Sequence, residues 1–232
     1  METLLLTGCV DPGDTPFLKV RNAESRLAEY EASIARWIDD SDFESIVFCE
    51  NSGYEHSYAD LVGRARAKGK SLEVLVFKGN RGSQEYGKGY GEGEIIEYAL
   101  AHSALLGQSS SFYKATGRVF VGNVNSILAK DSGKPTAFIL FTSWKYADTR
   151  FFKSDIGFFR ENLLDAYREV RDREKISIER VYRLRLKGKR IPAFGEFPDI
   201  RGICASSGEA YDLSPARMAL SRALLKLGLY RV

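Results

Sequence analysis

The sequence has few of the residues that anchor metal and redox chemistry. Its 232 residues include three cysteines, Cys9, Cys49 and Cys204, and two histidines, His56 and His102. The cysteine count is odd and no CxxC or Cys/His spacing occurs. Neither a disulfide framework nor a zinc site is therefore indicated, and a reducing compartment, the cytoplasm, is the simplest home. No apolar run approaches the roughly 20 residues of a membrane span. The apolar start Leu4-Leu5-Leu6 is short and lacks the basic flank of a signal peptide. Net charge is also small: 34 basic residues against 31 acidic ones leave +3, too even a balance for a nucleic-acid partner. No G-x-S-x-G elbow and no Ser/His/Asp or Cys/His pattern is present, so a nucleophilic hydrolase has little support. Gly87-Lys88-Gly89-Tyr90-Gly91-Glu92-Gly93 is not a P-loop, because no GK[ST] closes it. Nor is it GxGxxG, because Glu92 and Glu94 stand where the last glycine is required.

What is there is an ordinary globular composition, 44% hydrophobic, enough for one well-cored domain or one domain with a small appendage. Thr3 to Val10 reads as a buried strand, closed by the turn signal Asp11-Pro12-Gly13-Asp14. Ala23 to Ile38 carries Leu27, Tyr30, Ile34, Trp37 and Ile38 at helical spacing. Ser45 to Cys49 is a second strand with the polar exit Glu50-Asn51-Ser52-Gly53. A helix is expected from Tyr58 to Ala67 and a third strand from Leu72 to Phe77. This alternation predicts an α/β fold with a mostly parallel sheet, in which ligands bind beyond the carboxyl ends of the strands.

Gly79 to Glu94, with six glycines, reads as a loop leading into a helix at Ile95–Leu106. It is either a flexible connection or a mobile segment closing over a ligand, with Lys88 and the helix start offering positive charge. A strand from Phe112 to Val121 follows. On it Lys114, Thr116 and Arg118 share one face, and the lysine and arginine together have the charge to neutralise a diphosphate. A further strand is expected at Thr136–Phe141, and Asp148-Thr149-Arg150-Phe151-Phe152 follows it. A helix is expected from about Ile156 to Arg171. Ile176–Leu186 fits neither period, and Ile191–Tyr211 is loop-rich. Ser214 caps a final helix running to Arg231, with Pro215 at its first position. That helix either packs on the domain or lies as a basic amphipathic foot on an anionic membrane.

Two acids stand out in the second half. Asp148, in Asp148-Thr149-Arg150, is a catalytic candidate or a salt-bridge partner. Glu179, in Ser177-Ile178-Glu179-Arg180, is a catalytic candidate or half of an ion pair with a neighbouring arginine. His56 follows a strand exit and is placed to contact ligand.

The pieces LLLTGCVDPG, IVFCENSGY, GKGYGEGEIIEYAL, FYKATGRVF, DTRFF and SIERVY, in that order across roughly residues 3 to 182, resemble a bacterial nucleotide-sugar-dependent glycosyltransferase of the GT-A fold. The narrower likeness is to those of lipopolysaccharide, O-antigen and capsule gene clusters. The resemblance implies a GT-A-like domain over residues 1–213, with a nucleotide-binding half to about 125 and an acceptor half from about 126. A basic helix over 214–232 completes the chain. It implies a nucleotide-sugar donor held by Thr7, Asp11, Glu50, Asn51, Lys88, Gly89, Lys114, Thr116, Gly117 and Arg118. The acceptor, a glycan or lipid-linked glycan, would meet Arg150 and His56. Asp148 and Glu179 would carry the catalysis, at the inner face of the cytoplasmic membrane.

Where that family holds a divalent cation, Mn²⁺ or Mg²⁺, with a DxD motif, this chain has Lys114-Ala115-Thr116-Gly117-Arg118. Lys114 and Arg118 are then expected to replace the metal's charge. The competing expectations are a sugar nucleotidyltransferase and a non-catalytic nucleotide- or sugar-binding protein of the same fold.

Overall fold

The computed structural model describes residues 2–140, 145–204, 207–211 and 213–230. Four strands run parallel: β1 (Thr3–Gly8), β2 (Ser45–Glu50), β3 (Ser71–Val76) and β4 (Ser111–Thr116). A later strand, β6 (Phe151–Asp155), lies antiparallel on β4, and the sheet order is β3-β2-β1-β4-β6. A short strand, β5 (Val119–Val121), pairs instead with β7 (Ile200–Gly202) in a separate ribbon. The α/β class and the mostly parallel sheet expected from the sequence are both present.

β1 and β2 are buried at every position because helices cover both faces of the sheet. The two-residue period of a strand then divides the apolar side chains between two cores. Leu4, Leu6, Ile46 and Phe48 pack with Tyr30, Ile34, Trp37 and Ile38 of α1 (Ala23–Asp40). Leu5, Val47 and Cys49 pack with Ile95, Ile96 and Ala99 of α4 (Lys88–His102). Helix α1 begins at Asn22, whose side chain accepts the Ser25 amide at 2.8 Å, a standard N-cap. Between these units lie α2 (Ala59–Ala67) and α3 (Arg81–Tyr86). The connection from α4 to β4 holds α5 (Ala104–Gly107).

The glycine-rich segment is not a loop. It forms α3 and the first turns of α4, and its glycines sit where other elements press closest. A Cβ on Gly89 would lie 2.9 Å from the Ile178 side chain, and one on Gly93 2.1 Å from Tyr167 Cβ. Glycine costs a helix about 1 kcal/mol relative to alanine, and here that cost is accepted for backbone-to-side-chain packing. Gly93→Ala is expected to destabilise the fold by about 1–3 kcal/mol through overpacking. Thermal unfolding reads this directly, and an unchanged midpoint would show that Tyr167 yields without cost.

Other expectations are also corrected. The strand drawn from Phe112 to Val121 breaks after Thr116. Gly117 and Arg118 form the turn, and the chain leaves the main sheet for the ribbon. Residues 136–140 make isolated bridges, Ala137 to Lys153 and Leu140 to Ala147, rather than a strand, and Phe141 lies outside the described residues. The helix expected to Arg171 stops at Asn162 (α7, Ile156–Asn162), after α6 (Val124–Asp131). The ambiguous stretch is helix α8 (Ile178–Leu186). The last helix, α9, is Pro215–Lys226, and Ser214 caps it by accepting the Arg217 amide. Arg231 lies outside the described residues.

Candidate functional site

A cleft opens beyond the carboxyl ends of β1, β2, β3 and β4. This is where the sheet order turns back on itself, with β2 on one side of β1 and β4 on the other. Crevices at such switch points are the natural ligand sites of open α/β sheets, because neighbouring connections leave in opposite directions. The floor carries Thr7, Gly8 and Cys9 after β1, Asn51 after β2, Asn80 after β3, and Thr116 and Arg118 after β4. The start of α4 supplies Lys88, Gly89 and Glu92 on one wall. The second half of the chain supplies Thr149, Arg150, Ile178, Glu179 and Tyr211.

Of the residues expected at the site, Thr7, Asn51, Lys88, Gly89, Thr116, Arg118, Arg150 and Glu179 line this cleft. The others are used elsewhere. Glu50 is fully buried and gathers the loops. One carboxylate oxygen accepts the amides of Val10 and Ser52, each at 2.8 Å, and the other accepts those of Gly53 and Tyr54. Asp11 is exposed and accepts the Gly13 amide at 3.0 Å, a local turn. Gly117 is where the backbone comes closest to β1, since a Cβ there would lie 2.7 Å from the Thr7 carbonyl oxygen. His56 lies away from the cleft, with Nε2 2.9 Å from Glu31 and its ring edge-on to Tyr58.

Lys114 departs most from expectation. It is fully buried, and its ammonium is 2.8 Å from Glu92. It also donates to the Thr149 carbonyl at 2.7 Å and to the Thr116 hydroxyl at 3.2 Å. It thus ties β4 to α4 and to the segment before β6. Arg118, past the strand break, turns to the other face of the sheet, where it pairs with Glu29 of α1 and stands 5.8 Å over the Tyr30 ring. The two cations do not converge. Each already has an acid, so a pair of free charges in place of a metal is not what the fold provides. Nor do the residues around Thr116 fit a divalent cation. Glu29 and Glu92 are held by Arg118 and Lys114, and no group of three His, Cys, Asp or Glu assembles as ligands among the described residues.

The two candidate acids also separate. Asp148 is buried and grips Arg150 through both oxygens, at 2.9 Å and 2.6 Å, while also accepting the Arg150 amide. The guanidinium lies 4.8 Å over the Tyr211 ring. Asp148 does not reach the cleft; it holds Arg150, which does. Glu179, in the first turn of α8, is half-buried on the cleft wall. No ion pair or hydrogen bond engages its carboxylate among the described residues. Glu92, the other acid lining the cleft, is held by Lys114.

Three features escaped the sequence reading. Arg26 lines the cleft and is buried, yet no carboxylate pairs with it among the described residues. Its guanidinium donates to the carbonyls of Cys9, Val10 and Val20 at 2.6–3.2 Å. The signal was available: Arg26 lies four residues before Tyr30 and eight before Ile34, on the helix's apolar stripe. The second feature is Asn80, which joins the expected Asn51 in a pair of carboxamides. Asn51 donates to Glu94 at 3.3 Å and Asn80 donates to the Asp11 carbonyl at 3.2 Å. These partners fix each amide's orientation. The oxygens Asn51 Oδ1 and Asn80 Oδ1 are buried without a donor. Asn80 sits at φ 68°, a left-handed conformation that asparagine tolerates better than most residues.

The third feature is the cap of α4. The Asp172 carboxylate accepts the Lys88 and Gly89 amides, and burial, opposed in part by Lys88, raises its pKa. The helix start is therefore closed by the chain's own acid. Burial is the main cause that pushes the Cys9 thiol up to about 12, which disfavours the thiolate form that acts as a nucleophile.

No protein-family model and no curated protein sequence matches the chain. Among solved structures it is similar to a protein of Desulfovibrio desulfuricans G20 assigned as a nucleotide-diphospho-sugar transferase. That match has a TM-score of 0.44 and 11% identity, over 80% of this chain and 75% of that one. It is also similar to a protein of Bacillus anthracis assigned as a glucose-1-phosphate thymidylyltransferase and solved with sucrose. There the TM-score is 0.44 and the identity 12%, over 97% of this chain and 94% of that one.

Proposed function

We propose that the chain is a glycosyltransferase that binds a nucleotide-sugar across the ends of β3, β2, β1 and β4. The observation that carries this reading is the Glu179 carboxylate, without an ion-pair or hydrogen-bond partner among the described residues, on the wall of the cleft at the sheet's switch point. Adjacent strands lie about 4.8 Å apart, so β3 to β4 spans roughly 14 Å, room for an extended nucleoside diphosphate. The chemistry changes along that line. At β3 and β2 the buried oxygens of Asn80 and Asn51 need donors, which hydroxyls or a base N–H supply and a phosphate does not. At β1 and β4 the Arg26 charge, Arg118 and the Thr116 hydroxyl suit the phosphates. The sugar then points toward Arg150 and Glu179.

In this arrangement the acceptor hydroxyl attacks the anomeric carbon and the bond to the phosphate oxygen breaks. The electron pair leaves on the phosphate, and the proton passes to Glu179. The sequence resemblance supports a glycan, free or lipid-linked, as the acceptor, of the kind found in cell-surface polysaccharides. No helix among the described residues is long and apolar enough to cross a membrane. The exposed Leu220 and Leu227 of the C-terminal region, beside Arg217 and Lys226, support contact with a membrane surface.

The test is product analysis with a panel of nucleotide-sugars and sugar acceptors. Release of free nucleotide coupled to a new glycosidic bond supports the reading. Pyrophosphate released from a nucleoside triphosphate and a sugar phosphate would instead make the protein a sugar nucleotidyltransferase. Binding without turnover across the panel would make it a binding protein. Asn51→Ala is expected to weaken nucleoside diphosphate affinity about tenfold, the value of one or two hydrogen bonds lost to a buried acceptor. Calorimetric titration measures this.

A further inference from the structure

Away from the cleft, Lys145, Tyr146, Arg180, Arg183, Leu184 and Lys187 line a groove. Among the described residues it holds four cations and no acid. Over the whole chain the balance is nearly even, 34 basic against 31 acidic residues. Arg185, on the same helix, meets Asp165 at 3.3 Å and also pairs with Glu169. Lys145, Arg180 and Lys187 have no acidic partner among the described residues. Arg180 and Arg183 lie three apart on one side of α8, and Lys187 follows at its C-cap, so the row runs over about 10 Å. Lys145 faces them from the segment before β6. Leu184, in the same row, is 61% exposed, so the groove offers an apolar contact between its charges. The row starts at Arg180, the residue after Glu179.

We propose that this groove is a binding site for a phosphate or diphosphate group. Several converging cations with no carboxylate between them leave a local positive potential that a dianion neutralises and that water and salt only screen. Arginines at two of the positions provide the planar donor fork that matches phosphate oxygens. The phosphate belongs either to the headgroup of a membrane lipid or to a soluble phosphorylated compound. The site stands independently of what the cleft binds.

The test uses the full chain and the double variant Arg180→Glu/Lys187→Glu, with Arg180→Lys/Lys187→Arg as the charge-preserving control. Three ligands are titrated at low ionic strength: inorganic pyrophosphate, vesicles of phosphatidylcholine containing phosphatidylglycerol, and a nucleoside diphosphate. Wild type and control are expected to bind pyrophosphate, the anionic vesicles or both at least tenfold more tightly than the charge-reversed variant. Loss of vesicle binding assigns the phosphate to a lipid headgroup. Loss confined to pyrophosphate assigns it to a soluble compound. Unchanged binding of both ligands by the charge-reversed variant overturns the proposal. With pyrophosphate present in excess to fill the groove, nucleoside diphosphate affinity is expected to be the same in all three proteins, because Arg180 and Lys187 do not line the cleft. Its absence in all three, alongside variant-dependent pyrophosphate binding, would overturn the reading of the cleft and leave the groove standing.

Discussion

Glu179→Gln is expected to lower the rate of sugar transfer by roughly 10²–10⁴-fold, the usual contribution of a positioned general base, while leaving nucleoside diphosphate affinity within about twofold. The substitution keeps the side chain's size and its place on α8 and removes only the ability to take a proton. Because no neighbour hydrogen-bonds or pairs with this carboxylate among the described residues, its removal strands no buried cation and should not disturb folding. Asp148 behaves differently. Replacing it frees the Arg150 guanidinium from both of its oxygen contacts, so a rate loss there would mix catalysis with a displaced arginine. Steady-state kinetics on Glu179→Gln, with an unfolding curve as control, separates the two acids. A rate within about threefold of wild type would remove Glu179 from the chemistry.

Lys114→Met is expected to be among the most destabilising single changes in the molecule. Lys114 is fully buried, and its partner Glu92 is 19% exposed. Removing the ammonium leaves that carboxylate unpaired in the packed junction of β4 and α4. It also leaves the Thr149 carbonyl without its donor. Breaking a buried pair from one side costs about 3 kcal/mol or more, which for a chain of this size lowers the thermal midpoint by roughly 10 °C. Glu92→Gln in the same chain should restore much of the loss, because the stranded charge goes with it. If Lys114→Met unfolds within about 2 °C of wild type, the ion pair is not what joins these elements.

The fold was legible in the sequence where its cause is local. β1, β2 and β3 announce themselves as short apolar runs ended by polar turns, and in β1 and β2 burial on both faces leaves no room for alternation. The helical period from Leu27 to Ile38 is equally plain. The glycine-rich segment was misread because the reason for its glycines is distant. Gly89 and Gly93 make room for Ile178 and Tyr167, more than seventy residues on in the chain, and nothing nearby distinguishes that from a flexible loop. The strand through Thr116 was drawn too long for a related reason: Val119 to Val121 is apolar enough for the main sheet. Its carbonyl at Val119 is instead held by Ser33 and Trp37 of α1, at 3.0 Å and 2.8 Å, which draws the chain aside.

The site was legible in part, by the same rule. Sequence shows where charges are, not what already holds them. Glu50 at the end of β2, Lys114 within β4 and Asp148 just before β6 are polar residues where ligand-binding groups are expected, but their partners lie inside the protein: loop amides, Glu92 and Arg150. Glu179 was left level with Asp148 because only the folded chain shows which of the two is engaged. Arg26 was passed over because a cation in a helix is expected to face water, although its place on the apolar stripe marked it as buried.

The most direct test of the account is a calorimetric titration of nucleoside diphosphate into wild type, Asn51→Ala and Glu179→Gln. The cleft described here predicts saturable binding to wild type, about tenfold weaker binding to Asn51→Ala, and wild-type affinity in Glu179→Gln. Absence of binding to wild type at millimolar ligand, or equal affinity in Asn51→Ala, would contradict the claim that the ends of the parallel strands hold a nucleotide.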